Sequence, residues 1–262
     1  MNRPIDAEPA PDTNADAEAR WFGDHPVDPG EKTRLVRGVF DNVAGRYDLM
    51  NDLMSGGIHR LWKTALIGMI RPRPGERLLD VAGGTGDVSQ KFLAAAGEGA
   101  SATICDLTEA MVSVGRDRAL DRGRVAGLSY LVGNAEALPI ADASVDVYTI
   151  AFGLRNVTHI DPALAEARRV LKPGGRFFCL EFSRVVLPSL RKLYDAYSYA
   201  VIPRLGQAVA GDRESYQYLV ESIRRFPAQP DLAARMETAG LSRPRWRNLS
   251  GGIAAIHSGW RT

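Results

Sequence analysis

The segment LLDVAGGTGD sets three glycines, Gly83, Gly84 and Gly86, between two carboxylates, Asp80 and Asp87. Glycines at this spacing let a backbone turn tightly and come close to a ligand. A dinucleotide loop has a similar look, but it needs Gly or Ala three residues after Gly86, and Ser89 stands there. A pyrophosphate docked at this turn would also face both acids. Like charges a few Å apart at a partly buried site cost on the order of several kcal/mol. A cationic ligand reverses that sign. S-adenosylmethionine (SAM) carries a sulfonium and an ammonium and no phosphate. Asp80 could attract the ammonium, directly or through water, while the glycine backbone borders the methionine part. The plainer alternative is a glycine-rich turn whose acids only cap the following helix.

Two further positions extend this reading. Asp106 closes the next apolar run about 20 residues on, where an acid can accept both hydroxyls of a ribose. That feature is common to SAM and NAD sites. The third run ends in GNAEALP, where Asn134 and the backbone of Ala135 could read an adenine edge; ordinary turn chemistry is the competing reading for Asn134.

The elements that must position these groups follow from alternation. RLLDVAG, ATICDL, LSYLVG, VDVYTIAF and GGRFFCLEFS read as strands. TGDVSQKFLAAA, TEAMVSVGRDRALDRG (capped by Thr108) and DPALAEARRVL (Asp161 as N-cap, Pro162 at its first position) read as helices. Strands alternating with helices imply parallel pairing in a doubly wound α/β sheet, with ligands at the strand ends. RPRWRNL and GIAAIHSGW are separated only by Ser250-Gly251-Gly252, too short for a crossover, so they form a C-terminal antiparallel hairpin. The expected fold is the Rossmann-like fold of class I SAM-dependent methyltransferases.

VFDNVAGRYDLMNDLMSGGIHRLWK, FGLRNVT and RVLKPGGRFFCLEFS resemble the UbiE/MenG family, the C-methyltransferases of ubiquinone and menaquinone biosynthesis. The similarity runs from about Thr33 to the C-terminus. KPGG and DVAGGTGD are widespread among methyltransferases; the other signatures are narrower. The resemblance implies methyl transfer from SAM to a ring carbon of a polyprenylated benzoquinol, naphthoquinol or both. It places SAM contacts on Thr85, Asp106, Asn134 and Ala135. A fifth contact is commonly a serine, and Ala151 occupies that position; a backbone contact would survive the change and a hydroxyl contact would not.

Ring C-methylation asks for specific chemistry. The carbon becomes nucleophilic when a neighbouring hydroxyl ionises, and a phenol ordinarily titrates near pH 10. The site must lower that value, supply a base, or both. Arg155 is expected to hold the phenolate, with an ordered water taking the proton, and Asn156 to bond the second ring oxygen. Structural ion pairing is the alternative for Arg155. YDLMNDLMSGGIHRLW is expected to form a lid, with Met50, Leu53, Met54 and Trp62 lining the tail side and Tyr47, Asp48 and His59 near the hydroxyls. His59 as a capping residue, Trp62 as core and Asp48 as an ion-pair partner are the competing readings. LPSLRKLYDAYSYAVIPRLG has helical apolar spacing that could cap the pocket or touch a bilayer.

Composition is ordinary for a globular protein: 262 residues, 45% hydrophobic and 24% charged, with a net charge of +2. Residues 1–30 are expected to be a disordered acidic tail, and 31–262 one methyltransferase domain, with a helical lid at about 33–70 and a helical insertion at about 187–240. Two cysteines, Cys105 and Cys179, lie in apolar runs and should be buried thiols. No apolar run is long enough to span a bilayer, no secretory signal is evident, and no metal or nucleic-acid motif occurs. The chain is therefore expected in the cytoplasm or peripherally at the inner face of the cytoplasmic membrane. Its expected partners are the lipid-tailed quinol, quinone-pathway enzymes and a second copy of itself. Rival functions are another small-molecule O- or C-methyltransferase, a SAM-binding subunit without activity, and an NAD enzyme.

Overall fold

The structure, a computed structural model, describes residues 21–46, 51–52, 55–186 and 213–262. Tyr47, Asp48, Met50, Leu53, Met54, the segment 187–212 and the first twenty residues lie outside the described residues.

A two-stranded ribbon opens the chain, β1 (Trp21–Phe22) against β2 (His25–Pro26). The ribbon falls inside the stretch expected to be a disordered tail, so the ordered part begins earlier than residue 31. Trp21 and Phe22 explain why. The Arg225 guanidinium lies 4.0 Å from the centre of the Trp21 ring, and Phe22 stacks on Tyr218 at 4.1 Å. Helices α1 (Pro29–Val43) and α2 (His59–Ile70) follow.

The body alternates β3 (Arg77–Val81), α3 (Asp87–Ala96), β4 (Ser101–Asp106), α4 (Glu109–Asp121), β5 (Leu128–Val132), β6 (Val145–Ala151), α5 (Ile160–Val170) and β7 (Leu171–Phe182). Helices α6 (Arg213–Arg225) and α7 (Gln229–Thr238) fall in the expected insertion, and β8 (Leu241–Leu249) and β9 (Ala254–Arg261) close the chain. The sheet order is β5-β4-β3-β6-β7-β9-β8. Its first five strands pair in parallel, and β9 lies antiparallel between β7 and β8. The doubly wound sheet with a terminal hairpin is the fold expected from the sequence. One detail differs: α5 starts at Ile160 with His159 as its N-cap, and Asp161 instead accepts a hydrogen bond from Arg235 Nε at 2.6 Å.

Alternation along the strands sends side chains to two cores, one on each face. Leu78, Val147, Phe178 and Ile256 pack with Trp62, Leu66 and Ile70 of α2. Leu79, Tyr148, Phe177 and Cys179 pack with Leu164 and Ala167 of α5 and Met236 of α7. Cys105 and Cys179 are buried free thiols, and burial pushes the Cys105 thiol up to about 12. Strand order reverses at β3, which has β4 on one side and β6 on the other. A ligand crevice belongs at the carboxyl ends of those strands.

Candidate active site

A crevice with about 670 Å³ of empty space, continuous with solvent, lies at that point. Its floor is made by the strand ends: Val81 and Ala82 after β3, Asp106 at the end of β4, Asn134 and Ala135 after β5, and Phe152 after β6. Helix α1 forms the roof through Thr33, Val36 and Phe40. The roof is tied down by Lys32 Nζ, which donates to Val157 O at 3.1 Å, and by the Thr33 and Thr158 hydroxyls, 2.7 Å apart. Glu136, in the crevice wall, accepts from Thr158 N at 3.0 Å and bonds His159 Nδ1 at 2.7 Å.

Two floor residues have positive φ without being glycine, Ala82 (φ 50°) and Phe152 (φ 58°). Strain of this kind persists only where surrounding contacts enforce it, and it concentrates at functional sites. The glycine turn is similarly constrained. A Cβ on Gly83 would lie 2.8 Å from Asp80 O and 2.9 Å from an Ile104 methyl, and Gly86 holds φ at 80° to start α3. Gly84 sends its N–H to Asp106 Oδ2 at 3.0 Å.

The three acids expected near a ligand behave differently. Asp106 lines the crevice, accepting from Gly84 N and from Thr108 N (3.1 Å). Burial pushes its carboxyl up to about 6, against the lowering by those backbone N–H groups, and the nearby Asp80 charge adds to the rise. Asp80 is not in the crevice wall. It is buried, with one oxygen taking the Thr149 hydroxyl at 2.7 Å and the other the Ser89 hydroxyl at 2.8 Å. Of the two ways in which Asp80 was expected to attract an ammonium, directly or through water, the direct contact is not offered by this geometry, because its oxygens tie α3 and β6 together. Asp87 also points elsewhere, pairing with the buried Lys63 of α2 at 3.0 Å.

Asn134 stands in the crevice. Its Oδ1 accepts from Glu136 N at 3.0 Å, so the amide nitrogen is the group left for a ligand. Ala135 lines the same wall. Ala151 is buried in the last rung of β6, paired with Leu180, and the crevice is lined by the next two residues, Phe152 and Gly153. Thr85 borders a separate polar recess with His59, Asp87, Arg118 and Arg122.

The residues expected to do the chemistry are divided. Asn156 lines the crevice. Arg155, its neighbour in the 3-10 turn Leu154–Asn156, faces away, and its side chain is 1% exposed. Its Nη1 donates to Glu181 Oε1 at 2.7 Å and to Phe152 O at 2.6 Å, and its Cζ lies 5.5 Å from the centre of the Phe182 ring. The expected grip of Arg155 on a phenolate is thus replaced by a buried ion pair, because Glu181 on β7 claims the guanidinium. Asn156 is held by Tyr218 of α6, whose hydroxyl donates to Oδ1 at 3.1 Å, and by Phe152 O, 3.4 Å from Nδ2.

His59 is buried against the Ser55 hydroxyl (3.0 Å), outside the crevice. Burial and then Lys63 push its pKa down, against the Asp52 carboxylate 3.6 Å from Nδ1. Trp62 is core, edge-on to Phe182 at 5.8 Å, with Nε1 donating to Ser250 Oγ at 2.9 Å. Within the lid expected at about 33–70, the part around His59 and Trp62 buttresses the sheet, while α1, whose residues from Thr33 onward fall in that lid, forms the roof. Residues missed by the sequence reading include Glu136, Glu181, Tyr218, Thr33 and Phe40. Phe40, Glu136 and Glu181 fall inside stretches quoted above without being given a role; Glu181 also carries a signal of its own, an acid between Leu180 and Phe182 in an apolar strand.

The model of the ubiE/COQ5 methyltransferase family matches residues 28–261. Similar curated proteins include the Ubiquinone/menaquinone biosynthesis C-methyltransferase UbiE of Acidiphilium cryptum, 59% identical over 92% of this chain and 96% of that protein. The protein of the same name from Paracoccus denitrificans is 58% identical over 92% and 96%, and that from Brucella abortus 56% identical over 92% and 90%. Among solved structures, a SAM-dependent methyltransferase from Thermotoga maritima aligns with a TM-score of 0.62 at 19% identity, over 87% of this chain and 100% of that one. One from Aquifex aeolicus aligns at 0.59 with 16% identity, over 81% and 97%. At such identities the structural likeness speaks for the fold.

Proposed function

The chain belongs to the ubiE/COQ5 methyltransferase family, and from that premise we propose how its crevice carries out SAM-dependent C-methylation in ubiquinone and menaquinone biosynthesis. The acceptor in this reading is a ring carbon of a polyprenylated benzoquinol or naphthoquinol.

The residues present fit SAM. Asp106 is a carboxylate destabilised by burial, with hydrogen-bonding capacity left for ribose hydroxyls and a preference for a cation nearby. The Asn134 amide nitrogen is a donor suited to a ring nitrogen of adenine, and Val81, Ala82 and Met111 give apolar walls. When bound, SAM supplies an electrophilic methyl group. The chain's own residues then have three tasks. Asp106, Asn134 and Ala135 hold the donor along the floor. Val36 and Phe40 in the roof and Phe152 in the floor exclude water from the reacting end. Asn156 donates an N–H to a ring oxygen as that oxygen loses its proton to water, which favours the phenolate and sends electron density to the ortho carbon. Arg155 contributes indirectly, by holding the carbonyl of Phe152 and the turn that carries Asn156.

The observation that carries this reading is the placement of Asp106, Asn134 and Asn156 in one largely apolar crevice at the β3/β6 switch point. An isoprenoid tail calls for peripheral contact with a bilayer; among the described residues no helix is long and apolar enough to cross one. The test uses methyl-labelled SAM with a short-tailed demethylated quinol, supplied reduced or oxidised. Label should appear on carbon, stable to ether cleavage, with the reduced substrate alone. Equal rates with the oxidised quinone would contradict the electron flow proposed here.

A further inference from the structure

We propose that Tyr218, which does not line the crevice, is a positioning residue that fixes the Asn156 amide so that an N–H, and not the C=O, is offered to the quinol oxygen. The inference rests on the proposed contact between Asn156 and the quinol.

Asn156 sits between two groups of opposite character. On one side is the carbonyl of Phe152, which can only accept. It lies 3.4 Å from Nδ2 and already takes Arg155 Nη1 at 2.6 Å. Phe152 holds its strained φ of 58°, so this carbonyl is fixed by its surroundings. On the other side is the Tyr218 hydroxyl, 3.1 Å from Oδ1. Turning the amide over would set Oδ1 against the Phe152 carbonyl, acceptor against acceptor; the Tyr218 oxygen could accept from the NH2 group, but its own buried O–H would lose the acceptor it now uses. A buried polar group left unmatched costs about 1–3 kcal/mol, so the two neighbours together select one orientation.

Tyr218 is suited to hold it. Its side chain is buried, and burial pushes the phenol up, the neighbouring Arg155 notwithstanding, so it remains a protonated donor. Its ring is clamped by Phe22 of β1, with 11° between the two planes. The N-terminal ribbon thereby braces the active site from outside. With Oδ1 capped and one N–H directed at Phe152 O, the second N–H has no protein acceptor among the described residues, and Asn156 borders the crevice. A fixed donor bonds a phenolate more strongly than a neutral hydroxyl, so its orientation should act on kcat more than on substrate binding.

A double-mutant cycle with Tyr218→Phe and Asn156→Ala tests this. It would measure kcat and KM for a water-soluble short-tailed quinol, SAM Kd by calorimetry, and Tm. Tyr218→Phe should lower kcat about tenfold with SAM Kd unchanged, and should add nothing in the Asn156→Ala background. Unchanged kcat, or a loss that adds in full to that of Asn156→Ala, would overturn the proposal. If Asn156→Ala itself leaves turnover intact, the Asn156–quinol contact falls first, and this inference with it. Should Tyr218→Phe fail to fold, Phe22→Leu keeps the hydroxyl and loosens only the clamp. A lower kcat at constant SAM Kd then supports the idea, and an unaltered kcat overturns it.

Discussion

The two ends of the crevice are held by different kinds of contact. At the β4 and β5 ends, Asp106 and Asn134 are fixed mainly by nearby backbone: Thr108 N and Glu136 N each lie two residues away, and Gly84 N comes from the adjoining glycine turn. At the β6 end, Arg155 and Asn156 are fixed by side chains remote in sequence, Glu181 at 26 residues and Tyr218 at 62. The first end is a turn-scale device that any chain with the right strand-end residues can build. The second depends on the whole domain having closed, and it should respond to substitution as a core does.

The largest effect that would separate the two is on stability. Glu181→Gln removes the counter-charge of a buried guanidinium and leaves an uncompensated ion in the core. Breaking one partner of a buried pair costs about 3–5 kcal/mol. Thermal unfolding of this variant should therefore shift down by many degrees. If it unfolds like the parent protein, the β6 end is not part of the core.

At the other end the expected loss falls on the ligand. Asp106→Asn removes a charged acceptor, and hydrogen bonds to charged groups are worth about 1.5–3 kcal/mol, so SAM Kd should rise roughly 10- to 100-fold. The sign of the pH dependence follows from the same group. Its carboxyl titrates at about 6 in the free protein, above the ordinary aspartate range, and ribose hydroxyls bond best to the ionised form. SAM affinity should be full above pH 6 and weaken as pH falls through it, by up to about tenfold per unit. Asp106→Asn should remove this dependence. For folding, the raised value means the free protein loses stability as pH rises from about 4 to about 6, since the folded state holds the proton more tightly there. Calorimetric titrations showing a flat pH profile for the parent protein would remove Asp106 from the ribose site.

The same contrast explains what could be read from the sequence. The parallel sheet, its terminal hairpin and the places of Asp106, Asn134 and Asn156 follow from apolar alternation and from residues at strand ends, which are local properties. Asp80 lies one residue before the end of β3, and its side chain turns inward because Thr149 of β6 and Ser89 of α3 meet it there, and pairing between elements is invisible in one dimension. Arg155 illustrates the same limit, since its partner Glu181 sits on the neighbouring strand β7. His59 and Trp62 share a motif with polar and apolar neighbours, yet α2 packs that motif against the sheet, and the roof over the crevice comes from α1, where only Phe40 falls inside a quoted signature and Thr33 and Val36 precede it.

That roof permits the finest distinction between holding a ligand and admitting it. Thr33→Val is nearly isosteric and deletes the hydroxyl that meets Thr158 at 2.7 Å and reaches Pro29 O, in its own helix turn, at 3.4 Å. Lys32 still reaches Val157 O, and Thr158 is still gripped through its N–H by Glu136, so the floor should keep its shape. A single hydrogen bond of this kind is worth about 0.5–1.5 kcal/mol net. If the bond helps keep α1 closed over bound SAM, its loss should appear as a dissociation rate about 2- to 10-fold faster, with Tm nearly unchanged. Asp106→Asn, by contrast, should weaken binding whether or not the roof opens more often, because it acts on the floor. Stopped-flow measurement of SAM release distinguishes the two. A Thr33→Val protein that releases SAM at the parent rate would mean that the Thr33–Thr158 contact is packing alone, and that entry to the crevice is governed by other parts of the chain.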